Sequence, residues 1–177
     1  LLQPTGRLLG RDYSYENYGV NLGKTYIRDL MGKIIIIVDK TNTSFEGTQF
    51  EEFINGASNS VFMRALRNYD VEFTPNAKEL TEFNKKNMTF SMPDLSHTNK
   101  NVKPVLHSQY GIQMIGMCYQ NYDENVEFYE NWFAKKGHAF ILKPQKLRYK
   151  PLYIDCPKKQ TENVSYACLL YTSPSPR

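Results

Sequence analysis

The stretch YGIQMIGMCYQNYDENVEFYENWFAKKGHAFILKPQKLR, from Tyr110 to Arg148, decides the fold. Its first part, Ile112 to Tyr119, is apolar at both odd and even positions, the pattern of a strand covered on both faces. The period then changes. Val126, Tyr129 and Phe133 recur at helical spacing, acids crowd the first turns, Lys135 and Lys136 sit in the last, and Gly137 stands just beyond. Acids and cations so placed complement the partial charges of helix ends, and a glycine there takes the left-handed conformation that closes a helix. A buried strand followed by a well-terminated helix is therefore expected. Ala139 to Leu142 then runs apolar into the basic segment KPQKLRYKPLY.

Upstream, Asn76 precedes Glu79, Leu80, Phe83 and Asn84 at helical spacing, so a helix capped by Asn76 and ending near Asn87 is expected. Met88 to Met92 reads as a short strand, and PDLSHTNKN after it as a polar turn region. Ser60 to Leu66 forms a further expected strand. Between Asn42 and Asn59 the chain reads as a connection with at most a short helix at Gln49 to Ile54. In MGKIIIIVDK the β-branched run from Lys33 to Val38 lacks polar alternation, which predicts a strand buried on both faces with Asp39 opening onto a loop. Residues 1–28, rich in Gly, Tyr and Asn, read as a loop. Buried-type strands alternating with helices give an α/β class, in which polar loops after the strand C-terminal ends hold the chemistry.

Composition narrows the partners. The chain is 41% hydrophobic and 23% charged, enough apolar residues for a real core. Its 22 basic and 18 acidic residues are mixed along the sequence, so no strong field for nucleic acid is expected, nor a basic face interleaved with aromatics. Cys118, Cys156 and Cys168 are too far apart for a disulfide framework or a metal knuckle, which suits a reducing compartment. The longest apolar run, Ile34 to Val38, is far short of the ~20 residues a membrane span needs. The chain begins LLQPTGRLLG without Met or a leader pattern and reads as truncated there. Its last residues, CLLYTSPSPR, are what TGT CTC TTA TAC ACA TCT CCG AGC CCA CGA encodes, similar to a sequencing-library adapter. Residues 168–177 accordingly read as an adapter translation and not as native sequence.

Three stretches together resemble the Y region of phosphoinositide-specific phospholipase C. Tyr110 to Arg148 is similar to that family's GCQMVALNFQT strand, its helix and its GYxLKPxxLR ending. Leu30 to Ile36, LMGKIII, resembles the LxGKIxI strand after the family's linker. EFNKKNMTFSMPD, Glu82 to Asp94, falls where the family has a phrase of the type EYNKxxLSRIYP. The resemblance implies the C-terminal half of a TIM-type (β/α)8 barrel, incomplete, with strands near 33–38, 60–66, 88–92 and 112–119. Residues 1–29 are then a loop or the end of the X half or linker, 30–152 the Y-type half barrel, and 153–167 a basic polar connector.

The implied activity is hydrolysis of phosphatidylinositol-type lipids to diacylglycerol and an inositol phosphate by the complete protein. In the family the two catalytic histidines and the carboxylates that bind Ca²⁺ belong to the preceding X half, so none of the catalytic or metal residues is expected in this chain. A peripheral, cytoplasmic enzyme at a membrane surface follows, with the X half of the same chain as its partner. The substrate contacts of the Y half depart from the family pattern. Ile37 and Asp39 stand where two phosphate-binding lysines are found, with Lys40 on the other side of the strand. Phe90 and Met92 replace the Arg and Tyr of SRIY, and Thr89 occupies the Ser position. Ser58 and Ser60 both fall near a headgroup-contacting Ser.

Asp39, Ser58, Ser60, Thr89 and Phe90 are therefore the candidate substrate-binding residues, with strand-end capping or core packing as the plainer reading of each. An anion at Asp39 would repel a phosphate, which points to phosphatidylinositol or weakly phosphorylated forms over the bisphosphate. The same losses fit an alternative, a catalytically inactive barrel used as a membrane or protein interaction module. His97, His107 and His138 are irregularly spaced without neighbouring carboxylates and read as surface residues. Lys143, Lys146, Arg148, Lys150, Lys158 and Lys159 form a basic segment that would attract an anionic membrane or simply be a solvated connector. The tripeptides at Asn42, Asn87 and Asn163 match a glycosylation pattern that arises readily by chance.

Overall fold

A computed structural model describes residues 6–17, 19–95 and 100–153. His97, the sequon at Asn163, Lys158, Lys159, nearly all of the expected connector and residues 168–177 lie outside them. The described chain forms five strands and five α-helices, joined by short 3-10 turns. In order they are α1 (Val20–Lys24), β1 (Ile36–Val38), β2 (Ile54–Ala57), β3 (Met63–Arg67), α2 (Asn68–Glu72), α3 (Ala77–Lys86), β4 (Met88–Met92), α4 (Pro104–Gln109), β5 (Met114–Ile115) and α5 (Glu124–Lys136).

Every strand pairing is parallel. β1 pairs with β2, Val38 opposite Ala57, and β4 lies between β3 and β5, with Met63 opposite Met88, Arg67 opposite Met92 and Phe90 opposite Met114. Parallel neighbours need a crossover, which α2 and α3 supply between β3 and β4, and α4 between β4 and β5. The run from β2 to β3 is too short for one, so the sheet expected to be continuous is divided there into two. The class is α/β with small parallel sheets.

The two helices with the clearest chemical signals form where the residues place them. Asn76 Oδ1 accepts the Glu79 amide at 3.0 Å and starts α3, whose Leu80 and Asn84 are buried. Asp123 Oδ1 accepts the amides of Asn125 and Val126 at 3.1 and 3.0 Å, and Gly137 closes α5 at φ 66° while its N–H reaches the carbonyls of Phe133 and Ala134. Val126 is completely buried. Each terminus thus satisfies backbone groups that the helix leaves unpaired.

Other expectations are corrected. Ile34, Ile35 and Ile37 are 43%, 39% and 41% exposed, because β1 lies in a two-stranded sheet and is not covered on both faces. The short helix allowed at Gln49 to Ile54 is present as a 3-10 turn at Glu51–Phe53, but the stretch read as a connection also holds the fully buried strand β2. Asn55 tolerates burial there because its Oδ1 accepts the Ile36 amide at 3.0 Å and its Nδ2 donates to the Tyr13 carbonyl at 3.1 Å. The strand expected at 60–66 starts only at Met63, after a turn in which Ser60 Oγ accepts the Met63 amide. The strand expected at 112–119 shortens to β5, since Asn101 Oδ1 takes the Cys118 amide and draws the chain away from β4. Residues 1–28 contain α1, two 3-10 turns and the start of a third, not only loop.

Candidate functional site at the strand C-terminal ends

Asp39 and Ser58 follow the ends of β1 and β2, which the parallel pairing brings side by side. Ser58 is buried; its Oγ donates to Asp39 Oδ1 at 2.8 Å and accepts the Lys40 amide at 2.8 Å, while its own amide donates to the Val38 carbonyl. Asp39 Oδ1 also accepts the Thr41 amide at 3.0 Å. These donors, the Thr41 amide before the Ser58 hydroxyl, together with the nearby charge of Arg67, hold the Asp39 carboxyl below the usual carboxylate range. Asp39 is thus a fixed, solvent-facing anion at neutral pH.

Arg67 ends β3, and its Nη1 donates to the Pro93 carbonyl at 2.9 Å. Its face follows from strand alternation. Arg64 pairs with Glu79 of α3 at 2.9 Å and lies 3.7 Å over the Phe83 ring, so Arg64 points to the helices. Met63, Ala65 and Arg67 then point the other way, level with Met88, Phe90 and Met92 in the parallel register. This face carries a methionine-rich surface with one cation at its C-terminal end. Sequence reasoning passed over Arg67, although an arginine closing a strand-like run was a usable signal.

The remaining candidates separate. Phe90 lies on the inner face, where a Cβ added at Gly116 would sit 3.1 Å from its ring. Thr89 is fully buried on the opposite face, its Oγ1 donating to Asn84 Oδ1 of α3 at 2.5 Å and its amide to Gln113 Oε1. Ser60 is occupied in the turn before β3. Asp39 and Ser58 are therefore brought together, Phe90 shares the inner face of β4, and Thr89 and Ser60 hold the scaffold.

His107 is not a surface residue. It is fully buried on α4, which starts with Pro104 and which the residues did not announce. Its Nδ1 is 2.7 Å from Ser91 Oγ and its Nε2 3.1 Å from Asn68 Oδ1, and burial pushes its pKa down to about 4. The order Ser, His, Asn has the outline of an activated hydroxyl. Ser91 is itself completely buried, so no substrate reaches it, and the trio ties β4 to α4 and α2. Lys143, half-buried, has a pKa lowered to about 8 by burial and donates to the Asn84 carbonyl at 2.6 Å. Among the described residues no group of three or more His, Cys, Asp or Glu can hold a metal ion, and no helix is long and apolar enough to cross a membrane.

Parallel strands with polar and charged groups at their C-terminal ends define the class as α/β. A family model described as "Phosphatidylinositol-specific phospholipase C, Y domain" matches residues 38–146, more than half of the chain, and the chain belongs to that family. The match includes Asp39, Ser58, Arg67 and Phe90. No curated protein matches the chain.

Proposed function

We propose that this chain is the substrate-side portion of a phosphoinositide phospholipase C that acts on phosphatidylinositol or its weakly phosphorylated forms in preference to the bisphosphate. The observation that carries the reading is the fixed anion at Asp39, held by Thr41 and Ser58 with Arg67 close by. A carboxylate that accepts hydrogen bonds suits the free hydroxyls of an inositol ring, and the same carboxylate repels a ring phosphate. Arg67 offsets the charge and supplies donors, and Phe90 offers an aromatic face to the apolar C–H side of the ring.

The family chemistry needs a base to take a proton from the inositol 2-hydroxyl, an acid to protonate the leaving diacylglycerol oxygen, and Ca²⁺ to offset phosphoryl charge. In this reading those groups belong to an X half of the same protein. The rim residues then position the ring, and the enzyme works from the cytoplasmic side as a peripheral protein on the membrane surface. The test is hydrolysis by the complete protein, X half included, of phosphatidylinositol and of the bisphosphate in otherwise identical vesicles. Faster release of inositol phosphate from phosphatidylinositol is expected; a preference of about tenfold or more for the bisphosphate, a difference of ~1.4 kcal/mol, overturns the reading.

A second reading has one observation in its favour: Ile37, Asp39, Phe90 and Met92 together replace every Lys, Arg and Tyr contact of the family pattern. An inactive barrel serving as a membrane or protein interaction module would show the same losses. An X half without one of its histidines or calcium carboxylates, and no hydrolysis of either lipid, would favour it.

A further inference from the structure

The opposite end of the molecule carries a different kind of surface. α3 ends at Lys86 immediately before β4 begins at Met88, so the last turn of α3 stands at the N-terminal end of the sheet, away from Asp39 and Ser58. The 3-10 turn Gln145–Leu147 packs against it. A groove of about 520 Å³ opens between them, and five of its lining residues, Lys85, Lys86, Lys146, Arg148 and Lys150, are cationic. Glu82 is the one carboxylate in the lining, and Lys85 neutralises it at 2.7 Å.

Several contacts hold the segment that carries these cations against α3. Leu147 is buried beneath the turn, and Lys143 Nζ donates to the Asn84 carbonyl at 2.6 Å, joining the segment to the end of α3. Gln113 Nε2 donates to the same carbonyl at 2.9 Å and to the Asn87 carbonyl at 2.7 Å, tying the end of α3 to the residues before β5. Arg148 is steered by its Nε–H, which donates to the Lys143 carbonyl. Lys86 lies 5.3 Å over the Tyr149 ring. Among the described residues neither Lys146, Arg148 nor Lys150 has a carboxylate partner.

We infer that this groove binds a small soluble anion carrying two or more phosphate groups. Clustered cations on two packed elements match several phosphate groups at once, and Arg148, oriented through its Nε–H, favours phosphate over a single carboxylate. The position selects a soluble source. With the strand C-terminal ends turned to the lipid, the groove faces away from the membrane. The site is separate from the proposed substrate rim, and binding to it is measured without any hydrolysis.

The experiment is calorimetric titration of the full chain with inorganic tripolyphosphate, beside flotation with phosphatidylserine-containing vesicles. Saturable 1:1 binding is expected, weakened at least about tenfold in the K146Q/K150Q double variant, whose substituted side chains are exposed. Asp39→Asn should leave it unchanged. No saturable binding at millimolar tripolyphosphate overturns the inference, as does equal affinity in K146Q/K150Q. Vesicle capture that depends on Lys146 and Lys150, without tripolyphosphate binding, overturns it in favour of a lipid-facing groove.

Discussion

Replacing His107 by leucine should destabilise the protein at neutral pH, and by an amount that shrinks as the solution is acidified. Leucine fills a similar volume, so the main cost is the loss of both partners of the imidazole: Ser91 Oγ at 2.7 Å is left buried and unpaired, and Asn68 Oδ1 at 3.1 Å loses its contact. An orphaned buried hydroxyl costs about 1–3 kcal/mol, so about 3 kcal/mol is expected at pH 7. Burial lowers the His107 pKa from 6.5 to about 4, so the folded state disfavours the protonated ring. The stability this neutral ring contributes is present above the unfolded value, 6.5, and is lost as pH falls from there toward 4. Between pH 7 and pH 5 that loss is about 2 kcal/mol for the parent and absent for the leucine variant. Urea denaturation of both proteins at the two pH values measures the difference. The gap should close from about 3 to about 1 kcal/mol. A gap that stays constant or widens on acidification would refute the buried, neutral assignment.

Three smaller perturbations follow from the same packing and can be read from urea midpoints at pH 7. Asn76→Ala removes the acceptor of the Glu79 amide and should cost about 1 kcal/mol, with Asn76→Asp close to neutral. Val126→Ala deletes two methyl groups from a completely buried position on α5 and should cost about 2 kcal/mol. At Gly137 a Cβ meets no neighbour within 4 Å, but the backbone sits at φ 66°, so Gly137→Ala should cost about 1 kcal/mol from conformation alone.

The parts legible in the sequence were those fixed by local chemistry. Asn76 caps α3 with its own side chain, the acids and lysines at the two ends of α5 mark its extent, Gly137 takes a left-handed turn, and β4 emerges within the residues expected for it. Long-range pairings decided the rest. β2 is hidden because Asn55 and Gly56 do not look like strand residues, and their fitness for it comes from Ile36, Tyr13 and Ile37 far away in the chain. His107 is polar by composition and buried only because Ser91 and Asn68 converge on it from two other elements. At the rim, the charge at Asp39 was visible as a departure from the family strand. The grip of Thr41 and Ser58 on it, and the charge of Arg67 that acts on it from the end of β3, required the fold.

The most direct measurement of the central claim is the substrate preference of the complete protein before and after Asp39→Lys. The parent should cleave phosphatidylinositol faster than the bisphosphate. A cation in place of the anion that Ser58 and Thr41 hold should move the ratio of the two kcat/KM values toward the bisphosphate by about tenfold or more, roughly 1.4 kcal/mol. An unchanged ratio in a variant that folds and still hydrolyses lipid would contradict a rim in which Asp39 reads the hydroxyls of the inositol ring.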